Sequence, residues 1–166
     1  MHDPPLTDWA NFFVAEVGAA AALSGLLFVA ISINLSTILK YPHLPGRAGE
    51  TLAVVVGAMV LGSVALVPGM PAGVFAALVI LAGAAMGLFP AVIQFSAWRD
   101  AEARALAKRR SGRVALSLVP SLPVLVAGVL LLVGQPGGLY WLAFGVIAAL
   151  VAGILNAWVL LIEIMR

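Results

Sequence analysis

Apolar residues fill long unbroken runs of the chain, and short groups of proline, glycine and charge separate them. Five runs are long enough for a helix to cross a bilayer, which takes about 20 residues. They cover residues 9–39, 48–67, 72–98, 114–133 and 139–162. Strand-like alternation of apolar and polar positions is absent. In hydrocarbon only helices and closed barrels pair every backbone N–H and C=O. The pattern therefore predicts an all-α, polytopic transmembrane helical bundle of five spans, built as a single domain over residues 1–166.

The breakers define the connections. Tyr41-Pro42-His43-Leu44-Pro45-Gly46 ends the first run, Pro68-Gly69-Met70-Pro71 joins the second to the third, and Gly134-Gln135-Pro136-Gly137-Gly138 joins the fourth to the fifth. Such Gly and Pro groupings mark turns, and the last two are short enough to predict tight antiparallel hairpins. Residues 66–73 echo residues 132–138. A duplicated hairpin would produce that echo, and so would the common chemistry of short turns. The first run is over-long. At about 1.5 Å per residue it reaches about 46 Å, so it must tilt or protrude. Pro90, Pro120 and Pro123 are expected to kink the third and fourth spans.

Composition agrees with lipid as the surrounding medium. The 166 residues are 63% hydrophobic and 10% charged, against roughly 25% charged in soluble domains. Cysteine is absent, which removes disulfides, thiolate chemistry and cysteine metal sites. The N-terminus is mildly acidic and lacks the basic region of a cleavable signal, so the first span is expected to stay in the protein. Lys40, Arg47, Arg166 and the basic stretch 99–113 all fall on one side when five spans are threaded through a membrane. The positive-inside rule makes that side cytoplasmic. The topology is then N-out and C-in, in the inner membrane of a bacterium.

One acid stands inside the first run. Glu16 lies one to two turns below the outer interface, and no lysine or arginine reaches that side in this topology. An intramembrane carboxyl is costly. It can be protonated and hydrogen-bonded to a neighbouring helix, face water, or meet a cation or a partner chain. Helical phase places Glu16, Ala20, Leu23, Leu27 and Asn34 on one stripe. In a ring of subunits that stripe could line a path with an outer carboxylate ring and a hydrophobic constriction. The pairs Gly18 with Ala22 and Ala21 with Gly25 follow the small-xxx-small spacing of close helix packing. They predict a first helix that is buried on several sides, central to the bundle or to a homo-oligomer.

Other polar groups gather toward the inner side. Gln94, Asn156 and Glu163 lie at a depth comparable with Asn34. They are expected to form interhelical hydrogen bonds or line an inner vestibule; Glu163 can instead pair with Arg166. Residues 96–110 carry no helix breaker, and Lys108, Arg109, Arg110 and Arg113 suit contact with anionic headgroups or a membrane-protein partner. Aromatic interleaving and nucleic-acid motifs are missing, so no nucleic acid is expected. His2 and His43 are the only histidines, and no catalytic motif or intramembrane aspartate pair occurs. No enzyme activity, cofactor or metal is expected.

The first span, with Phe12-Phe13, Gly18-Ala19-Ala20-Ala21-Ala22-Leu23-Ser24-Gly25-Leu26, Phe28-Val29-Ala30-Ile31-Ser32-Ile33-Asn34 and then Leu44-Pro45-Gly46-Arg47-Ala48, resembles a family of small bacterial polytopic membrane proteins. Some of these are described as modulators of a membrane-bound AAA protease. The resemblance covers about the first third of the chain and implies no active site. Leu23-Ser24-Gly25 followed by Val29-Ala30 is also similar to a fragment of the pore helix of Orai-type calcium channels. Those have four spans and an oppositely directed first helix, and their selectivity acid has no counterpart here. Two functions are open on these grounds. One is a homo-oligomeric cation- or proton-permeable channel lined by the first helix. The other is a non-conducting accessory protein that binds a partner through its small-residue helix and basic cytoplasmic loop.

Overall fold

The structure is a computed structural model that describes residues 6–41, 44–96, 107–135 and 137–164. Every regular element among them is helical. A 3-10 turn at Leu6–Trp9 leads into α1 (Ala10–Ile33) and the four-residue α2 (Leu35–Ile38). Then come α3 (Leu44–Ala65), α4 (Ala72–Ser96), α5 (Ala107–Leu132) and α6 (Gly138–Ile164). Among the described residues, four helices are long and apolar enough to cross a membrane: α1, α3, α6 and the Ala72–Phe89 part of α4. Where the sequence predicts the fourth of five spans, the apolar stretch among the described residues is the shorter Val119–Leu132 within α5.

The over-long first run does not form one continuous helix. It breaks at Asn34, whose φ of −100° and ψ of 10° leave the helical region. The Asn34 side-chain amide donates to the Ala30 carbonyl at 2.9 Å, and the Asn34 carbonyl accepts from the amides of Thr37 and Ile38. Asn side chains compete with the backbone in this way, which disfavours them inside helices. The break leaves α1 with 24 residues, close to one membrane thickness. By contrast, α4 and α5 run on through Pro90, Pro120 and Pro123.

Both hairpins form where Gly and Pro predict them. The α3–α4 turn puts Gly69 at φ 70°. The α5–α6 turn puts Gly134 at φ 64° and Gly137 at φ 105°. These are left-handed conformations that only glycine adopts without strain.

Helices α3 to α6 close a ring: α3 packs on α4, α4 on α5, α5 on α6, and α6 back on α3. Glycines set how closely they approach. A Cβ at Gly83 of α4 would stand 3.1 Å from the Leu125 amide nitrogen of α5. One at Gly128 of α5 would stand 2.9 Å from the Ile80 amide nitrogen. Between α5 and α6, a Cβ at Gly145 would lie 3.1 Å from the Val124 amide nitrogen. These are backbone-on-backbone approaches of the kind small residues permit in membranes. Val54, Leu61, Phe75, Val79, Val124, Leu142 and Val146 fill the interior.

Helix α1 does not hold the central place expected of it in the bundle. It lies outside the ring, mainly against α3 and more lightly against α6. Phe13, Glu16, Ala20 and Leu27 are its buried residues, while Val14, Leu26, Phe28, Val29 and Ile33 are exposed. Small residues all round a helix do not say which side is covered, and here only one side is.

Candidate functional site: the two faces of the first helix

The inward face of α1 carries the stripe singled out from the sequence. Glu16 is 5% exposed, Ala20 is fully buried and Leu27 is 5% exposed. Leu23 and Asn34 are half-buried. Ala20 and Leu27 pack with Val55 of α3, joined by Leu23, Leu52, Met59, Leu150 and Ala157 from α1, α3 and α6. Of this stripe, Glu16, Ala20 and Leu27 are buried against the rest of the chain. The Asn34 side-chain amide donates to the Ala30 carbonyl.

Glu16 faces α3 at Gly62. A Cβ at position 62 would collide with Glu16 Oε2, so the carboxyl occupies the space a side chain would take. Both Glu16 oxygens are sealed from solvent, and neither has a hydrogen-bond partner among the described residues. Ser24 Oγ, two turns along the same helix, is likewise buried without a partner. Several hydroxyls of these helices return to their own backbone. Ser32 donates to the Phe28 carbonyl at 2.8 Å, Thr51 to the Arg47 carbonyl at 2.9 Å and Ser63 to the Met59 carbonyl at 2.8 Å. Such four-residue back-bonds satisfy a hydroxyl inside a helix. A carboxyl cannot make one by accepting, because helix amides are already engaged. Glu16 and Ser24 are thus the buried side chains left without a hydrogen-bond partner among the described residues.

The end of α1 above Glu16 is fixed by aromatic rings. Trp9 meets Tyr140 of α6 edge-on, with ring centroids 4.9 Å apart, and Phe12 at 5.8 Å. Phe12 and Phe13 pack at 5.2 Å. Trp and Tyr favour the headgroup level of a bilayer, and this cluster shares its end of the molecule with both hairpin turns. Sequence reading passed over it, although Trp9, Tyr140 and Trp141 flanking apolar runs carry that signal.

The outward face of α1 is the second feature. Ala15, Gly18, Ala22, Gly25 and Val29 are all exposed and recur at alternating steps of three and four residues. A Cβ added at Gly18 or Gly25 would meet nothing within 4 Å. Packing within the chain therefore does not require glycine at either position, unlike Gly62, Gly128 and Gly145.

Asn156 is half-buried on α6. Helix α4, which carries Gln94, packs on α3 and α5, whereas α1 packs on α3 and α6. The side chains of Gln94 and Glu163 lie outside the described residues. So do the side chains of Lys108, Arg109, Arg110 and Arg113, although their backbone opens α5. Residues 97–106 of the basic stretch, and Arg166, also lie outside them. No group of His, Cys, Asp or Glu suited to a metal occurs among the described residues.

The class defined by these features is an all-helical bundle with the apolar helices of a multi-pass membrane protein. No protein-family model, curated protein or solved structure matches the chain.

Proposed function

We propose that this chain is a five-span protein of a bacterial inner membrane, N-terminus outside and C-terminus inside, that works by lateral association rather than by conduction. The outward face of α1 pairs with the same face of a second copy. The assembled pair then serves as an accessory or modulator of another membrane protein, with the basic stretch 99–113 on the cytoplasmic side. The single observation that carries this reading is the division of α1 into two faces. The acid and its apolar stripe are spent on α3, while the small residues point away from the protomer. The likeness of the first span to a family of small bacterial membrane proteins, some of them described as protease modulators, runs in the same direction. A path along Glu16, Ala20, Leu23 and Leu27 would require α1 to leave its seat on α3.

The absence of cysteine makes the test direct. Ala22→Cys or Gly25→Cys should form disulfide-linked dimers in native membranes, and Ala20→Cys should not. Liposomes holding the purified protein should pass cations and protons no faster than empty ones. Ion flux above that of empty vesicles and abolished by Glu16→Gln would overturn the reading, as would equal cross-linking from both faces.

A further inference from the structure

Helices α1 and α6 pack only lightly on each other and leave a gap between them. The gap is a groove of about 300 Å³, open along one side. Leu23, Leu27 and Ile31 line it from α1, Ala157 and Trp158 from α6, and Asn34 is the one polar residue in its wall. The Asn34 amide is already held by Ala30, so the wall offers little to water. Leu26 and Trp158, 69% and 64% exposed, stand as bulky lips. Leu160, which also lines the groove, belongs to the same buried cluster as Ile38 of α2. Lys40 follows Ile38 by two residues and is exposed.

We propose that this groove binds one acyl chain of an anionic phospholipid, with the lipid phosphate at Lys40. An apolar cavity of about 150 Å³ stays dry and takes up benzene; the larger groove suits a longer hydrocarbon. A second helix would fit poorly. Helices pack in membranes through small residues that let backbones approach, and Leu26 and Trp158 obstruct that approach. The small-residue face of α1 lies on its other side. The positive charge of exposed Lys40, two residues beyond Ile38, complements a phosphate headgroup. The proposal rests on the chain lying in a bilayer, and the control below separates the two ideas.

Trp158 reports on the groove directly. The protein is reconstituted as two single-tryptophan versions, one keeping Trp158 and one keeping Trp141, with the other tryptophans changed to Phe. Trp141 is exposed at the opposite end of α6 and does not line the groove. Acyl-brominated phosphatidylglycerol is then titrated into phosphatidylcholine vesicles and tryptophan quenching is followed. Quenching of Trp158 should reach half-maximum at a several-fold lower mole fraction than quenching of Trp141. Brominated phosphatidylcholine should lack that advantage, and Lys40→Gln should remove it. Ala30→Phe with Ala157→Leu, which fills the groove without removing any contact, should also abolish it. Equal titration of the two tryptophans overturns the proposal. So does shielding of Trp158 from every brominated lipid, the result expected if a second copy covers the groove. An advantage that survives Lys40→Gln overturns the headgroup assignment. Failure to quench Trp141 as well would instead overturn the membrane reading.

Discussion

The Glu16 carboxyl occupies the place that a side chain at Gly62 would take. A Cβ at position 62 would collide with Glu16 Oε2 and stand 2.7 Å from Val17 Cγ2. The glycine on α3 and the acid on α1 therefore depend on each other: one is small because the other is long.

Gly62→Ala should loosen the seat of α1. Overpacking a tight contact costs about 1–3 kcal/mol, and the loss should appear as a lower midpoint in detergent-mediated unfolding. Glu16→Ala opens the space again, so the double variant should recover part of that loss. Residues in contact are expected to be non-additive in this way. Simple addition of the two effects would mean that they do not meet.

Glu16→Met tests what the acid contributes by itself. A buried polar group without a partner is destabilising by about 1–3 kcal/mol, and Met replaces it with apolar atoms of similar length. Unfolding resistance should rise by about that amount. A fall would show that the carboxyl has a partner in the assembled protein, such as a second chain or a cation.

Glycines should divide into two groups. Gly128→Ala and Gly145→Ala place a Cβ 2.9 Å and 3.1 Å from backbone nitrogens of neighbouring helices. Backbone cannot step aside as a flexible side chain can, so both should destabilise the ring by about 1–3 kcal/mol or more. Gly49→Ala meets nothing within 4 Å and should be neutral or gain about 0.5–1 kcal/mol from helix propensity. Parallel melts of the three proteins check the ordering.

Gly18→Leu and Gly25→Leu also enter open space. The protomer should melt as before, while dimer affinity measured by energy transfer in vesicles should fall about tenfold or more, equivalent to about 1.4 kcal/mol. Unchanged association would remove the outward face of α1 as an interface.

Trp9→Ala removes an edge-on contact with Tyr140 and another with Phe12. Each aromatic pair is worth about 0.5–1.5 kcal/mol. Amide exchange in the first turns of α1 should quicken, and that in α4 and α5 should not.

The helical class and the two hairpins were legible from the residues. Period and turn chemistry act locally, and both leave their mark in one sequence. The direction the stripe faces was not legible. In water an apolar face must turn inward, but lipid tails are as apolar as leucine. On α1 the covered side has Ala20 and Leu27 and the bare side has Ala22 and Leu26, so hydropathy alone does not tell them apart. Only the glycines carried a trace, and it becomes readable once Gly62 is seen to be crowded and Gly18 free. The break at Asn34 escaped notice for another reason. The residues around it remain apolar, and one side-chain amide turning back to Ala30 changes neither hydropathy nor period.

The place of α1 outside a ring made of later helices has a consequence for how the protein is made. The ribosome delivers α1 first, yet the surfaces that receive it, Gly62 of α3 and the flank of α6, emerge only afterwards. The nascent chain must therefore hold an acid-bearing helix in wait while its berth is still being synthesised. Whatever shelters Glu16 during that interval, translocon or early companion, governs how much of the protein reaches its finished form.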